Sequence, residues 1–263
     1  MRVYVKRSII ACVVLLALLA ALLPGCGRSS VGLRIAGSTS LQPLTEMLAE
    51  GYRAAGGARV SAQGVGSTAG LQALRSGVAD LATVSRPLTP EEVREGFQAH
   101  VIAWDVLAIA VHPSNPVEGL TLAELRRLFA GEIRDWTDLG GPAGPVHLIS
   151  REAGSGSRQA FRELVGPIHP LTAVQNSNGA IRLAVMNDPA AVGYLSLGVA
   201  RAGGVKLLRI DGHLPGEPGY PLVRPLSLVT LGPPAGEGRA FLLYALSPAG
   251  QQLVADEGML PVR

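Results

Sequence analysis

Arg151-Glu-Ala-Gly-Ser-Gly-Ser157 is the stretch on which the reading of this chain turns. It follows a short apolar run, Val146-His-Leu-Ile-Ser150, and precedes Arg158-Gln-Ala-Phe-Arg-Glu-Leu-Val165, a helical pattern. The order is strand, glycine-rich turn, helix start. Gly154 and Gly156 lack a Cβ, so the backbone there can bend back and approach a ligand closely. Ser155 and Ser157 set hydroxyls beside the free N–H groups of a first helical turn, which together form a ready anion site. Arg151 offers a planar fork to two oxygens of a tetrahedral anion. Taken alone, the stretch is equally an ordinary turn with a serine N-cap and a surface arginine. Its weight comes from two similar constructions upstream.

In the first of these, Leu33 to Ala36 is a strand and Gly37-Ser-Thr-Ser40 the turn after it. Leu41, Leu44, Leu48 and Tyr52 recur at helical spacing, with Pro43 in the first turn, where its missing N–H costs nothing. Ser38, Thr39 and Ser40 therefore precede a helix. In the second, Val60 to Gln63 alternates as a strand, and Gly64-Val-Gly-Ser-Thr-Ala-Gly70 is a glycine and hydroxyl turn. Leu71 to Ser76 is a short helix with Ser67 and Thr68 at its start, stopped by Gly77. Val78 to Val84 returns as a strand and delivers Ser85-Arg86 at its carboxyl end, before Thr89-Pro-Glu-Glu92 opens another helix with a capping box. Strands and helices alternating at this spacing imply α/β layers with a largely parallel sheet, whose ligands bind beyond the carboxyl ends of strands. All three hydroxyl loops lie at such ends, and so does Arg86.

Val101 to Val111 is a long apolar run ending in the breaker His112-Pro-Ser-Asn-Pro116, and is expected to leave a first domain and enter a second. There, Thr121-Leu-Ala-Glu124 is a capping box, 135–141 a loop, Thr172 to Val174 a short strand and Ala180 to Met186 a helix. Val192 to Ser196 and Val205 to Ile210 are further strands, and Leu226 to Thr230 is expected to return to the first domain. Two C-terminal helical segments, Glu237 to Ala245 and Pro248 to Glu257, close the chain. Trp104 is expected to pack in the core or hinge, and Trp136 to pin a loop to the second domain.

The ends and the composition narrow the class. Arg2, Lys6 and Arg7 precede an unbroken apolar stretch, Ile9 to Leu23, short for a bilayer span and suited to secretion. Residues 1–26 are thus expected to be a signal peptide. Leu23-Pro-Gly-Cys26 is close to a bacterial lipobox, with Cys26 the expected lipid site, although Pro24 is unusual there; plain cleavage nearby is the alternative. Cys12 lies in the apolar run, so the mature chain has no pair to bridge. Without Arg2, Lys6 and Arg7 the 23 basic residues fall to 20, against 20 acidic ones, so broad electrostatic capture of nucleic acid is not expected. At 48% apolar, the 263 residues are ample for one or two domains.

With these motifs in order, the chain resembles the phosphate-binding proteins of bacterial ABC phosphate importers over nearly its whole mature length. The resemblance is carried by Gly37-Ser-Thr-Ser40, Gly64-Val-Gly-Ser67, Ser85-Arg-Pro-Leu88, Arg151 to Ser157, Val192-Gly-Tyr194 and Leu246-Ser-Pro-Ala-Gly250. It implies the type II periplasmic binding protein fold: two α/β lobes joined by two crossover strands, with ligand in the cleft. The lobes would be 32–107 plus 224–263, and 108–223. Thr39, Ser40 and Ser67 match anion contacts of the first lobe; Arg151, Ser155, Gly156 and Ser157 match those of the second. Ser38, Thr68, Ser85 and Arg86 complete the expected ligand-binding set. Some relatives carry Asp where Ser85 stands, accepting a hydrogen bond from protonated phosphate; serine can still accept, arginine cannot.

The resemblance implies a periplasmic or cell-surface monomer that delivers inorganic phosphate to importer permease subunits, held to a membrane by a lipid anchor only, with no cofactor and no metal. Sulfate, arsenate, molybdate or tungstate would suit the same architecture, and so would a phosphate-sensing or adhesive lipoprotein. A hydrolase is disfavoured. Gly193-Tyr-Leu-Ser-Leu-Gly198 has one residue too many for a nucleophile elbow, and neither Lys6 nor Lys206 follows a phosphate loop. His100, His112, His147, His169 and His213 show no zinc spacing, and no catalytic residue is assigned.

Overall fold

Strand, hydroxyl turn and helix succeed one another from the first described residue onward. A computed structural model describes residues 32–262; the expected signal peptide and Cys26 lie outside them. β1 (Leu33–Gly37) leads into α1 (Gln42–Ala54), β2 (Val60–Gly64) into α2 (Ser67–Arg75), and β3 (Leu81–Val84) into α3 (Pro90–Arg94). The long strand β4 (Phe97–Val111) follows, then β5 (Gly119–Leu120), α4 (Leu122–Phe129) and a 3-10 turn at Trp136–Leu139. Next come β6 (His147–Arg151), α5 (Gly156–Leu164), β7 (Ala173–Gln175), α6 (Asn178–Met186), β8 (Ala191–Ser196) and α7 (Leu197–Ala200). The short strands β9 (Lys206–Leu207) and β10 (Arg209–Ile210) precede β11 (Val223–Leu231), α8 (Gly236–Ala245), α9 (Pro248–Asp256) and β12 (Leu260–Pro261). Among the described residues no helix is long and apolar enough to cross a membrane.

One sheet runs β2-β1-β3-β11-β4-β8-β6-β7. Its flanks are parallel, β1 with β2 and β3, and β6 with β7 and β8. Its centre is antiparallel, because β4 and β11 run against each other and against β8 and β3 respectively. From Phe97 to Val106, β4 pairs with β11; from Leu107 to Val111 it pairs with β8. Apolar side chains collect on either side of this changeover. One cluster holds Leu33, Ile35, Leu41, Leu44, Leu48, Ile102, Leu226 and Phe241. A second holds Leu107, Ile109, Phe129, Trp136, Phe161 and Tyr194, with the Phe161 and Tyr194 rings stacked at 4.0 Å, and a smaller third joins Leu71, Leu74, Val84, Phe97 and Val229.

Both expected capping boxes are present, at Thr89 with Glu92 and at Thr121 with Glu124. Several boundaries differ from the sequence reading, each for a local reason. β3 begins at Leu81 because Asp80 turns aside to pair with Arg34 at 2.8 Å, at the far end of the strand from Ser85. Residues 205–210 make two short strands, β9 against β4 and β10 against β5. β11 begins at Val223 and contains Pro225, which breakers in sequence do not predict. Pro225 lies opposite Trp104 of β4 and beyond the pairing with β3, which spans Ser227 to Val229, so β11 is paired on one side only at this point, where proline is tolerated. Trp136 is buried and donates from Nε1 to the Ala190 carbonyl at 3.0 Å. Trp104 is instead 40% exposed, which corrects the expectation of core or hinge packing.

Candidate oxyanion-binding site

The three hydroxyl turns converge. β1 ends at Gly37 and hands the chain to Ser38, whose Oγ accepts from the Ser40 N–H at 3.2 Å. β2 ends at Gly64, Gly66 takes a positive φ of 93°, and α2 starts at Ser67. β6 ends at Arg151, and Ser155 caps α5, its Oγ accepting from the Arg158 N–H at 3.3 Å. Hydroxyls from opposite sides then meet. Ser40 Oγ lies 3.1 Å from Ser157 Oγ, and the Thr68 N–H donates to the Gly154 carbonyl at 3.2 Å. Ser85 donates from its N–H to Ser67 Oγ at 3.3 Å, with the two hydroxyls 3.4 Å apart. Gly156 packs directly on that pair: a methyl there would overlap both hydroxyls, coming within 2.5 Å of Ser85 Oγ. Ser38, Ser40, Ser67, Ser85, Ser155 and Ser157 are all buried, whereas Thr39 and Thr68 are half-buried.

The two arginines expected to hold an anion are both partly committed elsewhere. Arg151 is buried and donates from Nε and Nη2 to the Glu152 carboxylate, both at 2.8 Å, and from Nη2 to the Asn176 carbonyl at 3.2 Å. Only Nη1 has no hydrogen-bond partner among the described residues, so Arg151 presents one nitrogen rather than an open fork. Arg86 is turned to Glu92, at 2.7 and 2.6 Å, and to the Pro87 carbonyl at 2.8 Å. Among the described residues its Nε is the one buried side-chain polar atom without a partner. Burial works to raise the Glu92 carboxyl, but the hydrogen bonds from Arg86 and Thr89 and the Arg86 charge outweigh it and hold it below the usual carboxylate range.

A third arginine, which the sequence reading did not assign, occupies the centre. Arg224 on β11 is buried and faces Asp105, its register partner on β4, with Nη2 and Nε at 2.7 and 3.0 Å from Oδ2. The same guanidinium donates to Ser157 Oγ and to Ser40 Oγ, both at 2.8 Å, and to the Ser85 carbonyl at 3.3 Å. Burial lowers the Arg224 pKa, the Asp105 charge and hydrogen bond oppose that, and the nearby Arg151 charge adds to the lowering; a guanidinium nonetheless stays protonated. Asn178, the first residue of α6, was also missed. Its Nδ2 donates to Ser40 Oγ at 2.8 Å and to Thr39 Oγ1 at 3.3 Å, while its Oδ1 accepts from the Ser196 N–H at 3.2 Å. One signal for Asp105 stood in the sequence: an acid inside an otherwise apolar run is costly unless paired. Arg224 sits between Pro221 and Pro225, where the chain reads as loop.

What the arrangement can do is donate. Backbone N–H groups, serine hydroxyls and guanidinium nitrogens line it, while Glu152, Glu92 and Asp105 are each paired to an arginine. Such a lining suits an anion with several oxygens. Among the described residues no cluster of His, Cys, Asp and Glu could hold a metal.

The PBP superfamily domain matches residues 25–249. The phosphate-binding protein PstS of Bacillus subtilis is 30% identical over 251 residues, covering 89% of this chain and 82% of that protein. The chain belongs to the PBP superfamily, with the PstS phosphate-binding proteins. A phosphate ABC transporter substrate-binding protein of Clostridium perfringens, solved with phosphate bound, superposes with a TM-score of 0.83 at 31% identity, covering 88% of this chain and 100% of that one. An ABC-type phosphate transport receptor of Vibrio cholerae gives 0.71 at 32% identity, over 87% of this chain and 99% of that one. The fold is therefore the type II periplasmic binding protein fold.

Proposed function

We propose that this chain captures inorganic phosphate outside the cytoplasm and delivers it to an ABC importer. The observation that carries the reading is the meeting of Ser40 and Ser157, hydroxyls from opposite sides, at 3.1 Å over a buried guanidinium. Residues 32–107 with 224–263 form one lobe and 108–223 the other, and the anion lies where they close. Thr39, Ser67, Arg151, Ser155, Gly156 and Ser157 contact it, with Ser38, Thr68 and Ser85 at its margin and Ser40 behind Ser157, acting through that hydroxyl. Arg86 holds Ser85 in place through its pair with Glu92. Micromolar affinity corresponds to about −8 kcal/mol. Charge-assisted hydrogen bonds contribute about 1.5–3 kcal/mol each, so a handful suffices after desolvation of the anion is set against them.

Membership of a family of binding proteins supports a role in transport rather than turnover. The mature chain is a monomer, anchored through Cys26, that docks on permease subunits. A specific feature favours a second reading. Ser85 is a hydroxyl where a carboxylate would demand a protonated ligand, so another tetrahedral oxyanion is the alternative cargo. A thermal-shift screen with phosphate, sulfate, arsenate, molybdate and tungstate separates the two. A ligand at about 100 times its dissociation constant adds about 2.7 kcal/mol of stability. Phosphate is expected to give the largest shift; a larger one from sulfate or molybdate would reassign the cargo, and release of phosphate from a generic monoester would overturn the non-enzymatic role.

A further inference from the structure

Hydroxyl groups carry one proton and two lone pairs, and that arithmetic orients the centre of the site. The Asn178 amide is fixed by its carbonyl oxygen, which must be the acceptor for the Ser196 N–H at 3.2 Å, so its nitrogen faces Ser40. Ser40 Oγ accepts from that nitrogen and from Arg224 Nη2, both at 2.8 Å. Both lone pairs are then filled, and Ser40 can only donate in its 3.1 Å contact with Ser157. Ser157 Oγ in turn accepts from Ser40 and from Arg224 Nη1 at 2.8 Å, so its own proton must leave the network. Asp105 makes this order rigid. Its Oδ2 holds Nε and Nη2 of Arg224, and its Oδ1 accepts from Ser196 Oγ at 2.8 Å.

We infer that Arg224, clamped by Asp105, is a positioning residue that, together with Asn178, forces the Ser157 hydroxyl to act as a one-way donor to the bound oxyanion. The inference rests on the phosphate-binding reading for its ligand, but not for the polarity of the relay. Arg224 works here through the serines, from β11. The pair must also be built together: removing one partner leaves a buried charge, which is far more damaging than removing both.

The test uses the full mature chain and a double-mutant cycle. In the wild type, Ser157→Ala is expected to weaken phosphate binding by about tenfold. In the Asp105→Asn/Arg224→Gln background, which itself binds less tightly, Ser157→Ala should change affinity less than about threefold. Full additivity in a background whose ligand-free Tm is close to wild type would overturn the inference. Should that background fail to fold, Asn178→Ala keeps the Arg224–Asp105 pair and frees one lone pair on Ser40. It should shrink the cost of Ser157→Ala, and an unchanged cost would again overturn the proposal. A ligand-free readout separates this failure from failure of the phosphate reading. The buried Ser40 hydroxyl proton should appear as a slowly exchanging resonance in the NMR spectrum and vanish in Ser157→Ala. Its persistence in that variant would sink the relay even where phosphate binds; its loss would support the relay even where phosphate does not.

Discussion

Arg86, Arg151 and Arg224, the three buried arginines among the described residues, each lie against a carboxylate: Glu92, Glu152 and Asp105. Anion recognition therefore rests on oriented donors rather than on surplus charge. Arg151→Ala removes the one guanidinium nitrogen of that residue without a partner among the described residues and frees Glu152, and should weaken phosphate binding at least tenfold by calorimetry, or about 1.4 kcal/mol. Unchanged affinity would remove Arg151 from the site. Gly156→Ala tests the other side of the same contact. Its methyl collides with the buried Ser67 and Ser85 hydroxyls, so ligand affinity should fall by about tenfold or more and the ligand-free Tm should fall as well. At this scale the serine turns were legible because turn chemistry is local, and because the same glycine and hydroxyl construction recurs at three helix starts. Arg224 and Asn178 were not. Each acquires its role from partners distant along the chain, Ser40 and Ser157 for Arg224 and Thr39 and Ser40 for Asn178, and such pairings leave no local pattern.

Elements were read well where a cap or a period marked them. Thr89 and Thr121 start their helices as their capping boxes require. β11 was cut short because Pro225 reads as a stop, although a strand paired on one side tolerates it. α2 was begun too late because Ser67 and Thr68 look like loop, yet they form its first turn. The α3 cap also ties stability to pH. Glu92 has its carboxyl held low, as do Asp188 beside His147 and Asp80 beside Arg34 despite some desolvation. For groups of depressed pKa the stabilisation is present above the unfolded values near ~4 and lost as pH falls through the lower folded ones. Burial likewise lowers the His100 pKa, so its contribution has the same sign, beginning near ~6.5. Tm should thus decline on acidification, steepening below about pH 4. Glu92→Ala, which orphans Arg86, should cost about 3 kcal/mol, or roughly 6–12 °C in Tm at neutral pH.

Over the whole molecule, alternation of strand and helix sufficed to anticipate the α/β layers. The antiparallel centre of the sheet was not anticipated, since nothing in the composition of β4 distinguishes its two neighbours. Equal numbers of acidic and basic residues beyond position 26, with each central guanidinium already matched, imply weak long-range steering. Phosphate affinity should change less than about threefold when ionic strength is raised from ~0.01 to ~0.15 M. A steep decline would reveal an unmatched charge facing the ligand.

β4 is one 15-residue strand that serves three apolar clusters in succession, through Phe97, through Ile102 and Ala103, and through Val106 to Val111. Severing the molecule there would orphan a sheet edge in each fragment, so neither half is a portable module. A chimera built with a relative would have to exchange β4 and β11 as a matched set, and a break placed in the loop at 212–219 should be tolerated far better than one at Val106.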